Sequence, residues 1–87
     1  MSEENVIEEQ LDKDIRNTDM EAIAYHKLAE GFGILSRLPE NEGAQATMFG
    51  FQMTKYEASE AECRRFLGKL YAIREKRQKT AAALRSK

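Results

Sequence analysis

The stretch Leu38-Pro39-Glu40-Asn41-Glu42-Gly43-Ala44 decides how everything on either side of it is read. Proline lacks a backbone N–H and its ring clashes with the preceding turn, so a helix reaching Leu38 cannot continue through Pro39. Residues 39–43 read as a tight connection, and a link this short joins antiparallel neighbours when helices flank it. Upstream, Met20, Ala24, Leu28, Gly31, Phe32, Leu35 and Leu38 fall on one face at 3.6-residue spacing, which predicts a helix over 19–38. Downstream, Phe49, Met53, Tyr56, Cys63, Leu67 and Leu70 form a stripe flanked by Phe66 and Ile73. That stripe predicts a second long helix over 44–80, paired with the first in the manner of a coiled coil.

A third, shorter helix is expected over 3–16, where Ile7, Leu11 and Ile15 recur every fourth residue. Asn17 and Thr18 supply a break, and Thr18 with Glu21 has the spacing of a capping box. At 1.5 Å per residue the helix over 44–80 outruns the one over 19–38 by about 25 Å. The N-terminal helix can cover that surplus by laying Ile7, Leu11 and Ile15 against Phe66, Leu70 and Ile73. Such packing also brings together the two charged blocks of the chain. Residues 1–14 hold Glu3, Glu4, Glu8, Glu9, Asp12 and Asp14 against Lys13; residues 74–87 hold Arg74, Lys76, Arg77, Lys79, Arg85 and Lys87 against Glu75.

Composition agrees with an all-α antiparallel hairpin plus short N-terminal helix. One proline and five glycines interrupt 87 residues of which 41% are hydrophobic and 33% charged. The whole chain, 1–87, is expected to be one domain: an acidic segment 1–17, a hairpin core 18–73 and a basic extension 74–87. So short a chain buries only about 60–65% of its unfolded surface, so self-association is expected to complete the bundle. Cys63 is the sole cysteine, which excludes an intramolecular disulfide and points to a reducing cytoplasm. No apolar run approaches the length of a membrane span, and the first ten residues are acidic where a signal peptide is basic and then apolar.

Residues able to carry chemistry are few. His26 could pair with Glu30 one turn away, but a metal centre needs more ligands than this pair offers. Cys63 belongs to the apolar stripe and reads as a core residue. Gly31 and Gly33 follow no strand and open no helix, so they are not a phosphate loop; Gly31 reads as a point of close helix approach. Glu60 lies near the centre of the stripe, with Arg64 placed to pair with it at i,i+4. No catalytic residue, metal ligand set or cofactor is assigned.

The expected function is non-enzymatic: a self-associating module that binds another protein through apolar helical surface. Ile23, Ile34, Met48 and Phe51 lie off the main stripes, where a two-helix core cannot bury them, and are the candidate partner-binding residues. The alternative is a nucleic-acid-associated accessory protein using Arg74, Lys76, Arg77 and Lys79. The acidic N-terminus, the net charge of −1 and the lack of aromatics among those bases weigh against it.

Overall fold

The computed structural model describes residues 3–86 and is all-helical over that span: α1, Glu3–Arg37, and α2, Ala44–Arg85. Lys87 of the basic block, and the side chain of Glu4 in the acidic block, lie outside the described residues. The two helices run antiparallel. Phe32 stacks on Phe49 near the connection, Tyr25 on Tyr56 further along, and Asp12 reaches Arg74 near the open end.

The connection is built as its residues dictate. Asn41 donates a side-chain hydrogen bond to the Leu35 carbonyl at 3.0 Å, satisfying one of the acceptors that a helix end leaves free. Gly43 turns the chain into α2 with φ 68° and ψ −130°, a mirror-image extended conformation open to glycine and costly for any residue with a Cβ. No other described residue has positive φ.

A separate N-terminal helix is not formed. Residues 3–16 and 19–37 belong to one helix that runs through Asn17 and Thr18. Neither residue stops a helix unless its side chain is better employed capping one, and Thr18 is buried against α2 instead. The capping box with Glu21 is therefore absent, and Glu21 accepts a hydrogen bond from the Cys63 thiol.

Continuity changes which face of α1 points inward. Seven residues advance a helix by about 20° less than two full turns, so residues seven apart share a face. Leu11 and Ile15 pack with Leu67 and Leu70, and this contact sets the phase of everything after it. Thr18, Tyr25 and Phe32 follow Leu11; Ala22, Ala29 and half-buried Ser36 follow Ile15. The face expected from Met20, Ala24, Leu28, Gly31 and Leu35 is left exposed, and only Phe32 of that series stacks on α2. Gly33, not Gly31, marks the close approach. A Cβ built on Gly33 would come within 3.0 Å of Met53 Sδ, whereas Gly31 has open space around it.

On α2 the inward residues match the expected stripe: Phe49, Met53, Tyr56, Glu60, Cys63, Leu67 and Leu70, continuing through half-buried Arg74, Arg77 and Ala81. On both helices the inward residues alternate steps of three and four. The N-terminal part of α1 does cover the distal part of α2, within one chain. Ile7, Phe66 and Ile73, expected in that contact, remain about half exposed.

Candidate interaction surfaces

One polar cluster sits on a flank of the helix pair. Arg64, one helical turn beyond Glu60, donates through Nε at 2.8 Å and through a second nitrogen at 2.7 Å, both to the same Glu60 oxygen. From α1, His26 Nδ1 donates to the other Glu60 oxygen at 3.1 Å. Glu60 is thus the acceptor between the helices, and its side chain keeps only 16% of its exposure. The Arg64 guanidinium, helped by His26, holds the Glu60 carboxyl below the usual carboxylate range. His26 pairs with Glu60 across the helices rather than with Glu30, the partner available on its own helix.

Cys63 lies at the helix interface and is half-buried. Partial burial and the carboxylate of Glu21 both push its thiol pKa upward, so the protonated thiol dominates at neutral pH and the group is a poor nucleophile. No cluster of three or more potential metal ligands is gathered among the described residues. No helix among them is long and apolar enough to cross a membrane.

The four basic residues of the alternative reading do not share a face. Arg74 and Arg77 point toward α1: Arg74 lies 3.5 Å from Asp12 and over the Tyr71 ring, and the Nε of Arg77 is enclosed without a hydrogen-bond partner. Lys79 pairs with Glu75 on the outside, and Lys76 is exposed. A cleft of about 270 Å³ at this end sets Glu8 and Asp12 beside Arg74, Arg77 and Arg85, so acid and base meet there.

All four candidate partner-binding residues are on the outside: Ile23 at 44% exposure, Ile34 at 50%, Met48 at 64% and Phe51 at 70%. They do not form one patch. Ile34 and Phe51 each lie two residues from an inward position, about 200° round the helix, so they point in opposite directions from the two backs of the pair. Ile23 follows buried Ala22 on the flank of His26; Met48 precedes Phe49 on the opposite flank. Met20, Leu28 and Phe66, expected against the partner helix, join them outside. The signal for Met20 and Leu28 is the unbroken α1, because the seven-residue step from Leu11 and Ile15 excludes them from its inner face.

Comparison with known proteins returns no match: no family model, no curated protein and no solved structure is significantly similar to the chain.

Proposed function

We propose that the chain is a non-enzymatic interaction protein, an adaptor, assembly factor or inhibitor, that works through apolar helical surface. The observation that carries this reading is an inversion of size. Beyond Ile15 the buried positions of α1 are all small, Thr18, Ala22, Ala29 and Gly33, beside half-buried Tyr25 and Phe32, while Met20, Ile23, Leu28 and Ile34 stand in solvent on the same helix. Small residues let two helices approach, and large apolar side chains left outside a short chain mark where it associates. In this reading the three–four spacing of the inward residues is that of a coiled-coil hairpin, and self-association and a cytoplasmic setting go with it.

The test is recovery of partners by tagged full-length chain from a lysate of its native host, with and without nuclease. Retained proteins should survive a high-salt wash, ignore nuclease and fall away when Ile34 and Phe51 are both replaced by glutamate. Retention that is lost with salt and with nuclease would instead favour nucleic-acid association through Lys76, Lys79 and their neighbours, because phosphate contacts weaken steeply as salt rises.

A further inference from the structure

The two flanks of the helix pair differ in chemistry. Contacts between the helices show which residues share a flank. His26 and Gly33 of α1 meet Glu60 and Met53 of α2 on one side, and Glu21 meets Cys63 on the other. Steps of seven extend each side along the pair. The His26 side carries Asp12, Asp19, Glu57 and Arg64, with Ile23 and Tyr71 as its exposed large apolar residues. The Glu21 side carries Ile7, Leu28 and Leu35 from α1 and Met48, Phe66 and Ile73 from α2, each at least 36% exposed. Apolar surface is therefore concentrated on one flank and runs most of its length.

The amount of exposed surface says what should cover it. A compact monomer of 10.0 kDa exposes about 5,200 Å², whereas this chain exposes 6849 Å². Its radius of gyration is 19.6 Å, against about 12 Å for a compact chain of this length. The surplus is about 1,600 Å² per chain, within the roughly 1,000–2,500 Å² that each subunit buries in an obligate homodimer. The flank also holds the mix of side chains that a two-fold interface pairs with itself. Beside the large side chains it offers small ones (Ala24, Gly31, Ser59), and both charge signs, Asp14 and Glu21 with Lys69 and Lys76.

We propose that this flank is the seat of a second copy of the chain, two hairpins closing face to face into a four-helix bundle. The proposal rests on the interaction-protein reading and names its first occupant. It assigns Leu28 and Phe66 to the interface and leaves Ile34 and Phe51 outside it, free for another partner.

Sedimentation equilibrium of the full chain across the micromolar range tests this, with helix content followed by circular dichroism. The wild type should be a dimer. Leu28→Glu and Phe66→Glu should each raise the dissociation constant about thirtyfold or more, as expected for central apolar anchors. Ile34→Glu and Phe51→Glu should leave it within a few fold. Dissociation by the second pair and not the first overturns the assignment of this flank while leaving association intact. A wild type that stays monomeric overturns the second-copy proposal, and the pull-down then judges the broader reading separately. Should the Leu28 and Phe66 variants lose helix, isotope-filtered NOE spectra of mixed labelled and unlabelled wild type decide. Intermolecular contacts are expected at the methyl groups of Leu28, Leu35 and Ile73; contacts at Ile34 instead would sink the proposal.

Discussion

The two ends of the helix pair solve the same packing problem with different side chains. At the open end Leu11, Ile15, Leu67 and Leu70 interlock, none more than 8% exposed. Toward the connection Tyr25, Tyr56, Phe32 and Phe49 form a chain of stacked rings with centroids 5.7–6.0 Å apart, all half-buried. Aliphatic side chains of matched size enclose one another between just two helices. Rings stand taller, so their edges stay in water while small residues such as Ala29 and Gly33 let the backbones close in. Volume matters at the aliphatic end; at the aromatic end solvent shares the load.

Removing residues 1–16 is the largest test of that contrast. It takes away Leu11 and Ile15 and should cost roughly 3–6 kcal/mol at 1.5–3 kcal/mol per buried side chain. The melting temperature should drop sharply, and heparin binding should rise as Arg74 and Arg77 are uncovered. An unchanged melting temperature would show that the aliphatic end contributes nothing to stability. Leu67→Ala should cost about 2–4 kcal/mol in urea unfolding, since a cavity in the tight cluster cannot collapse freely. Tyr56→Leu, which removes two stacks at the open-sided end, should cost only about 1 kcal/mol. Equal losses from these two substitutions would erase the distinction between the ends.

Glycine replacement sharpens the picture. Gly68 on α2 has open space around it, so Gly68→Ala should stabilise by up to about 1 kcal/mol through helix propensity alone. At Gly33 the same gain is opposed by Met53 Sδ, and Gly33→Ala should be neutral or destabilising in the same thermal melts.

The smallest expected effect comes from the polar cluster between the ends. Glu60 has a folded-state pKa below its ordinary 4.5, so its contribution is complete above the unfolded value and is lost as pH falls through the folded one. Glu60→Gln should therefore flatten part of the acid side of the stability profile and leave its alkaline side alone. A wild-type-like acid limb in that variant would assign acid sensitivity elsewhere.

The sequence by itself determined the helical class, the turn at residues 39–43, the inward stripe of α2 and the pairing of Glu60 with Arg64. Each of these is local, or follows from Pro39, Gly43 and the repeat of apolar residues within one helix. Only the tertiary structure decided the inner face of α1. Over residues 19–38 two apolar stripes compete, and the aliphatic side chains of Met20, Leu28 and Leu35 favour the one that ends up outside. The choice belongs to Leu11 and Ile15, a turn or more upstream, which must meet Leu67 and Leu70. An unbroken helix is rigid in rotation, so that one contact fixes the phase of the next twenty residues. It turns Ala22 and Ala29 inward, sends Leu28 and Leu35 out, and so leaves an apolar flank where a buried core was expected.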